Sequence, residues 1–171
     1  RDIEETARWF GTPLVMSYQN ETPGLLPSEA ERLGKVTVGT ELGWGEAVQA
    51  NGVRWCRQGV LAAAIRHGQL GGRIEKIDHH RDGTQRTVAL LDRACFSVAP
   101  FGGLYEEAIA CGSAVKAGDV VGWFHDFERI DMEPWPVRAG VDGIVIAQAW
   151  AARVTQGQHV VVTGRVLPWR S

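Results

Sequence analysis

Cysteine, basic charge and long apolar runs are all scarce in this sequence. Its three cysteines, Cys56, Cys95 and Cys111, form an odd set without a CxxC pair, which argues against a disulfide framework or a zinc knuckle and favours a reducing, cytoplasmic setting. No apolar run approaches the ~18 residues of a membrane helix, and no signal-peptide pattern opens the chain. The net charge of -2 disfavours nucleic acid as a partner, because phosphate binding needs a concentrated excess of Lys and Arg.

Common catalytic motifs and an initiator methionine are missing as well. The sequence contains no GxSxG nucleophile motif, no P-loop and no GxGxxG run. It opens directly on a helix-like segment, so we expect it to be the later part of a longer polypeptide. What remains is an ordinary globular composition, 44% hydrophobic and 22% charged over 171 residues, which is enough for one domain or two small ones.

Residues 1–72 have the pattern of alternating helices and strands. Ser28 and Glu31 have the spacing of a capping box at the start of a helix. Apolar residues recur at helical spacing in the last segment, although Gly52 and Gly59 weaken that helix by about 1 kcal/mol each. The alternation predicts an α/β sheet that is at least partly parallel. We expect helices over 2–10, 27–33 and 46–70 and strands over 13–18 and 35–42.

A polar segment over residues 73–86 separates this part from a region of different character. It contains a glycine and many charged side chains, as a linker or an exposed hairpin would. Over residues 87–171, short β-rich runs alternate with Gly and Asp turns at intervals of about 8–15 residues, which predicts an all-β module. The runs are TVALL, CFSVA, DVVGWF, GIVIAQAW and HVVVTG.

The β module contains an internal repeat. Segments 114–123 and 153–162 share the pattern Val-x-x-Gly-x-x-Val, 39 residues apart, and Asp142-Gly143 between them is a hairpin-turn signal. Two similar half-units around a hairpin resemble the barrel-sandwich fold of lipoyl and biotinyl domains. Those carriers present a modified lysine at a hairpin tip, whereas the matching region HDFERIDMEPW has no lysine. We therefore keep the fold analogy and reject the carrier function.

One carboxylate in the first part calls for an explanation. Glu41 follows β-branched residues in the stretch TVGTELGWG, and an ionised carboxylate is rarely buried without a partner. It therefore points to solvent, pairs with a cation or belongs to a site. Gly39, Gly43 and Gly45 would let backbone or ligand approach closely at a strand end, where open α/β sheets place their ligands. Trp44 adjoins this glycine turn and is a candidate to line a pocket.

The histidines offer little by comparison. His125 and Glu128 have the HxxE spacing of two zinc ligands, but the sequence suggests no third ligand nearby. His79 and His80 lie in the polar segment, where a solvated loop accounts for them. His67 suits the negative end of the long helix and needs no ligand role. The sequence therefore assigns no metal ligand.

Two sets of segments resemble the succinylglutamate desuccinylase/aspartoacylase family of zinc-dependent deacylases. AERLGKVTVGTELGWGEAV and AAAIRHGQLGG resemble the later part of its catalytic domain. CFSVAPFGGLYEEAIACGSAVKAGDVVGWFHD and VDGIVIAQAWAARVTQGQHVVV are similar to its C-terminal β module, and the chain looks most like the N-acetyl-diaminobutyrate deacetylase branch. The implied fold class is α/β, namely the C-terminal part of a zinc-carboxypeptidase-like three-layer catalytic domain over 1–72, a linker over 73–86 and an all-β barrel-sandwich-like module over 87–171.

The resemblance also implies a mechanism. In the family, a strand carrying Thr-Glu-Leu-Gly delivers a catalytic glutamate to the zinc site, and by position in the motif this glutamate is Glu41. Zinc lowers the pKa of its bound water to about 7, and the glutamate passes the water proton to the leaving amine. The family's zinc ligands, an HxxE pair and a later histidine, precede the glutamate, whereas no histidine precedes His67 here. Trp44 and Glu46 stand where the family branch has further glycines, so we assign them to substrate choice.

The predicted function is therefore that of a zinc-dependent amide hydrolase whose zinc ligands are not in this chain. We expect the chain alone to be inactive. Its expected partners are a small N-acyl amino acid, the missing N-terminal part of the catalytic domain and a second copy in a homo-oligomer, without nucleic acid or membrane. The alternative, which the absent ligands favour, is a non-catalytic family member that acts as a binding or assembly module.

Overall fold

The structure is a computed structural model that describes residues 2–17, 24–43, 45, 47–75 and 85–168. The chain divides into two compact units, residues 1–86 and 87–171. Helices dominate the first unit and strands dominate the second. Across the described residues, no helix has both the length and the apolar character needed to cross a bilayer.

The first unit begins with the amphipathic helix that the sequence predicts. Acidic side chains in its first turn and Arg8 in its last turn complement the helix dipole. Gly11 ends this helix with a φ of +83°, a left-handed conformation that glycine adopts without steric cost. The regular elements described in this unit are α1 (Asp2–Phe10), β1 (Leu14–Ser17), α2 (Leu26–Arg32) and α3 (Ala50–Arg66).

Helix α3 packs on α1 at a glycine. Both Gly52 and Gly59 are buried in α3, although each costs a helix about 1 kcal/mol relative to alanine. The ring of Phe10 lies so close to Gly59 that a Cβ there would be 2.5 Å from the ring atom Cε1. The missing side chain therefore lets α1 and α3 approach each other, and packing offsets the poor helix propensity.

The long helix is shorter than the predicted span 46–70. It begins at Ala50 and ends at Arg66. Gly45 and Gly68 have φ values of +66° and +70°, which a right-handed helix does not accept. Gly68 therefore ends the helix, whereas at its start the backbone is still extended at the N-cap Gln49.

The capping box predicted at Ser28 and Glu31 is wrong. The N-cap of α2 is Leu25, which makes no side-chain cap, and Pro27 lies in the first turn. Proline suits that position because its fixed φ is helical and the first-turn N–H groups have no partner within the helix. Proline therefore starts the helix, and Gly34, with a φ of +74°, follows its end.

The strand predicted over residues 35–42 is also wrong. This segment has no regular secondary structure. A strand forms only when a neighbouring strand pairs with its backbone, and the described part of the first unit supplies none for this segment. The partly parallel sheet expected around it is accordingly not found among the described residues of this unit.

The second unit consists of antiparallel strands that form two sheets. One sheet has the order β2-β10-β8-β5, with β3 also pairing with β10, and the other has the order β7-β6-β4-β9. All of these pairings are antiparallel. The strands are β2 (Arg86–Ala89), β3 (Phe96–Val98), β4 (Gly103–Glu107), β5 (Ala114–Val115), β6 (Val120–His125), β7 (Trp135–Arg138), β8 (Gly143–Gln148), β9 (Arg153–Val154) and β10 (His159–Leu167).

The two sheets share one apolar core. Val121, Val145 and Val161, from three different strands, are fully buried and belong to the same cluster of side chains. The ring centroid of Phe124 lies 5.8 Å from that of Tyr105, within the range of favourable aromatic pairing. Side chains from both sheets therefore fill the space between them.

The second half of this unit repeats the first half. β6 pairs with β7 and β4 just as β10 pairs with β3 and β8. Gly118 and Gly157, 39 residues apart in the sequence, have φ values of +93° and +83°. Their N–H groups donate to the carbonyls of Ala139 and Ala99, both at 2.8 Å. The internal repeat is confirmed, while the likeness to a barrel-sandwich fold stays a prediction.

The hairpin predicted at Asp142-Gly143 is wrong. β7 pairs with β6 and β8 pairs with β10 and β5, so this link carries the chain from one sheet to the other. Neither residue has a positive φ, which a type I′ hairpin turn requires at both central positions. The Asp142 carboxylate instead accepts a hydrogen bond from the backbone N–H of Ala117 at 2.8 Å, which ties the link to the repeat.

Candidate functional site

The segment that carries Glu41, residues 35–42, connects the region of α2 to the start of α3. Its first end is tied to α2, because the Lys35 N–H donates to the Ala30 carbonyl at 2.9 Å. The Thr37 hydroxyl also donates to the Glu31 carboxylate. The segment thus leaves α2 in a fixed direction although it pairs with no described strand.

The other end of the segment lies against α3. The carbonyl oxygen of Leu42 is so close to Gly52 that a Cβ there would be 2.4 Å away. Gly43 follows with a φ of +141° and Gly45 with a φ of +66°, and side chains other than glycine rarely adopt these conformations. The backbone therefore turns sharply just after Glu41.

Glu41 itself is exposed at the surface. No described residue forms a hydrogen bond or an ion pair with its carboxylate, so the group is free to meet a ligand from solvent. Trp44 and Glu46, which the sequence assigns to substrate choice, lie outside the described residues. The predicted catalytic residue Glu41 is therefore described, whereas the roles assigned to Trp44 and Glu46 stay predictions.

The described residues do not fit the zinc ion that the family resemblance implies. They contain no group of three or more His, Cys, Asp or Glu side chains that could hold a metal, whereas zinc sites use three or four such ligands. The Nε2 atom of His125 lies 2.7 Å from the Glu106 carboxylate on the neighbouring strand β4. His67 lies 2.8 Å from the Thr6 hydroxyl, and His79 and His80 fall outside the described residues.

A small polar pocket of about 220 Å³ also lies in the first unit. The Arg66 guanidinium pairs with the Glu5 carboxylate and His67 bonds to Thr6, while the Asp2 carboxylate also lines the pocket. Val36 of the Glu41 segment contributes one wall. The pocket therefore lies against the first end of that segment, and its lining carries two carboxylates and one guanidinium.

A polar cluster in the second unit is structural. The Tyr105 hydroxyl donates to the side-chain oxygen of Gln148 at 2.6 Å, and the Gln148 amide donates to the Ile109 carbonyl at 2.7 Å. Burial, assisted by nearby Glu107 and Cys111, raises the pKa of Tyr105 above its ordinary value. The phenol therefore stays protonated and serves as a hydrogen-bond donor. The thiols of Cys56, Cys95 and Cys111 are all free.

Gly52 is the site residue that sequence reasoning missed. From the sequence, this glycine counts only as a weakness of its helix. The one signal that it carries is that glycine costs a helix about 1 kcal/mol relative to alanine and permits a close approach of backbone. The spatial neighbour Leu42 could not be identified without the fold.

No protein-family model matches the chain, but a curated relative does. The chain is 27% identical over 164 residues to the N-alpha-acetyl-L-2,4-diaminobutyric acid deacetylase of Halomonas elongata. That alignment covers 95% of this chain and 47% of the relative. The chain therefore spans about half the length of the curated protein that it matches.

Solved structures give the same result. The ectoine utilization protein EutE from Ruegeria pomeroyi superimposes with a TM-score of 0.85 and 25% identity over 96% of this chain and 48% of its own. A succinylglutamate desuccinylase/aspartoacylase from Rhodobacter sphaeroides has a TM-score of 0.85 and 30% identity over 96% of this chain and 49% of its own. The predicted resemblance to the succinylglutamate desuccinylase/aspartoacylase family is confirmed, and the α/β fold described here matches the C-terminal part of that fold.

Proposed function

We propose that this chain carries the glutamate-bearing part of a zinc-dependent deacylase that hydrolyses the amide bond of an N-acylated amino acid. The observation that supports it most directly is the exposed carboxylate of Glu41 in a chain that matches a deacetylase over 95% of its length. The N-acyl amino acid in that relative's name makes Nα-acetyl-2,4-diaminobutyrate the first substrate to test.

In this proposal Glu41 moves one proton during amide hydrolysis. A water oxygen attacks the amide carbonyl, and Glu41 accepts the proton that this water loses. The carbon–nitrogen bond then breaks, and Glu41 returns the proton to the amine nitrogen as it leaves. Such proton transfer by a positioned carboxylate contributes about 10² to 10⁴-fold to rate. An exposed carboxylate on a segment fixed at both ends is suited to this task.

The metal ligands of the proposed enzyme come from polypeptide outside the described residues. These residues contain no metal-binding group, and the chain covers about half of its relatives, 47% to 49% in the three comparisons. The partner of the chain is then the part of the catalytic domain that the relatives have in addition. Trp44 and Glu46, three and five residues after Glu41, are the proposed determinants of substrate choice.

The test is a chimera in which this chain replaces the part of the Halomonas elongata deacetylase that it matches. The chimera should bind zinc and release acetate from Nα-acetyl-2,4-diaminobutyrate, and Glu41→Gln should lower kcat by about 10² to 10⁴-fold. Glu29→Gln is the matched control and should leave kcat unchanged, because the Glu29 side chain pairs with Arg32 on the same helix and not with the Glu41 segment. Zinc content should be equal in all three proteins.

Two results would contradict the proposal. One is a Glu41→Gln chimera with undiminished activity. The other is stoichiometric zinc together with deacylase activity in this chain alone, since the ligands would then lie within it. A folded, zinc-loaded chimera without activity would instead favour the alternative function, a non-catalytic binding or assembly module.

A further inference from the structure

Helix α3 has two glycines that lie on one face. Gly52 and Gly59 are seven residues apart, which is about two helical turns, and both are buried. At each glycine, a neighbouring group occupies the space that a side chain would need. The identities of these neighbours distinguish the two positions.

Gly59 packs against a side chain, whereas Gly52 packs against backbone atoms. A Cβ at position 59 would meet the ring of Phe10 at 2.5 to 2.7 Å, and a ring can move by rotating about its side-chain bonds. A Cβ at position 52 would meet the carbonyl oxygen of Leu42 at 2.4 Å and its carbonyl carbon at 3.1 Å. Relief at position 52 thus requires the chain itself to move.

The chain that would move carries the Glu41 carboxylate. The Leu42 carbonyl belongs to the peptide that joins Leu42 to Gly43, one residue after Glu41, and Gly43 has a φ of +141° that leaves the turn little freedom for other side chains. The first end of the segment is held on α2 through Lys35. A displacement at Leu42 is therefore passed to Glu41.

We propose that Gly52 is a positioning residue for Glu41. Because Gly52 has no side chain, the Leu42 carbonyl packs directly against α3. This contact sets where the Glu41 carboxylate lies relative to a bound amide. The catalytic part of this inference rests on the proposed function, while the packing part does not. A misplacement of about 1 Å at a reacting group can cost 10²-fold in rate, so loss of the contact between Leu42 and Gly52 should measurably lower kcat.

The experiment compares Gly52→Ala with the matched control Gly59→Ala. In the full chain, backbone amide NMR shifts of residues 41–43 should move in Gly52→Ala and stay in place in Gly59→Ala. In the active chimera, Gly52→Ala should lower kcat by about 10²-fold with KM within about threefold, and Gly59→Ala should lower the melting temperature without this loss of kcat. Unmoved amide shifts of residues 41–43 in Gly52→Ala would overturn the inference.

A measurement on the unmodified chain keeps the inference testable if Gly52→Ala does not fold. Nuclear Overhauser contacts should connect the Gly52 Hα protons to the Leu42 side chain. Their absence would contradict the packing of Leu42 against Gly52. The two proposals fail separately. If the Glu41→Gln chimera stays active, the proposed function is wrong, but the packing of Leu42 on Gly52 is unaffected. If Glu41→Gln is inactive while Gly52→Ala is fully active, only the positioning role of Gly52 is wrong.

Discussion

The two units of this chain differ in how well they bury their apolar side chains. In the second unit, a continuous cluster that includes Phe124 and Val161 fills the space between two sheets. In the first unit, the buried apolar residues among those described are Ala7, Phe10 and Ala62. Leu26 on α2 remains 83% exposed, and Val53 and Val60 on α3 are 55% and 54% exposed. The second unit also exposes large apolar side chains, such as Ile130 and Trp150, so the two units differ in their cores: the second holds a continuous one, whereas the described part of the first buries few apolar residues.

The difference follows from what each unit contains. The repeat in the second unit gives every strand a partner within the unit, since β4 and β8 each pair on both edges. In the first unit, the β-branched segment 35–42 finds no strand beside it among the described residues. Apolar surface of this extent on helices is usually covered by other polypeptide. The contrast therefore supports the proposal that further polypeptide completes the domain around Glu41.

The largest expected contrast is in amide hydrogen exchange. Amides of β10 should exchange roughly 10⁴-fold more slowly than those of residues 36–42, because a core strand opens only with most of the global stability of several kcal/mol, while amides without a backbone partner exchange at almost no cost. Peptide-resolved deuterium uptake by the full chain measures both. Equal protection would mean that residues 35–42 are paired in a sheet after all, and the contrast would disappear.

Removal of one buried ring from each unit should give the next largest difference. Phe124 is 1% exposed in a closed core, so Phe124→Ala should cost about 3–5 kcal/mol of unfolding free energy. Phe10 is 7% exposed and contacts α3 at Gly59, but few other apolar side chains are buried in the described part of its unit, so Phe10→Ala should cost less than Phe124→Ala. Urea denaturation followed by circular dichroism measures both. A larger loss for Phe10→Ala would show that the first unit is the better packed of the two.

Alanine at a glycine of each unit probes the same contrast more finely. At Gly122, a Cβ would meet Tyr105 at 2.4 Å and the Glu106 carbonyl oxygen at 2.7 Å, so Gly122→Ala should destabilise by about 1–3 kcal/mol. At Gly39 a Cβ meets nothing within 4 Å, and Gly39→Ala should be neutral or stabilise by up to about 1 kcal/mol through the unfolded state. Thermal melts of both variants test this. A loss of stability in Gly39→Ala would contradict the open space around Gly39 and show that another group packs against this residue.

Local patterns in the sequence predicted the elements whose causes are local. The helical spacing after Asp2 and the stop at Gly11 gave α1, and the repeated Val-x-x-Gly-x-x-Val pattern gave two turns with matching backbone bonds. The resemblance carried by the TELG motif assigns a catalytic role to Glu41, which stays a prediction. These features depend on residues close together in the chain, which is why they can be inferred without the fold.

The wrong predictions concern partners that are distant in the chain. Residues 35–42 have strand composition but lack a neighbouring strand among the described residues. Asp142-Gly143 has turn composition, but its flanking strands join different sheets. Gly52 looked like a defect of a helix because Leu42, the group that needs the space, cannot be identified from spacing. In each case tertiary context overrode a local preference.

The smallest expected effect lies in the loop after β6, where a surface carboxylate is held by its own loop. The Arg129 guanidinium donates to the Asp126 carboxylate at 2.7 Å and the Glu128 backbone N–H donates at 2.9 Å, and these bonds lower the pKa of Asp126. Because the folded-state pKa is the lower one, the contribution to stability is complete above the ordinary Asp pKa of about 3.9 and is lost as the pH falls through the lowered value. Carboxyl ¹³C NMR titration should show Asp126 shifting toward its ordinary pKa in Arg129→Ala and remaining low in the control Lys116→Ala, at the other end of β6. An unchanged Asp126 titration in Arg129→Ala would assign the shift to the backbone bond instead, and the loop would then be held by its turn alone.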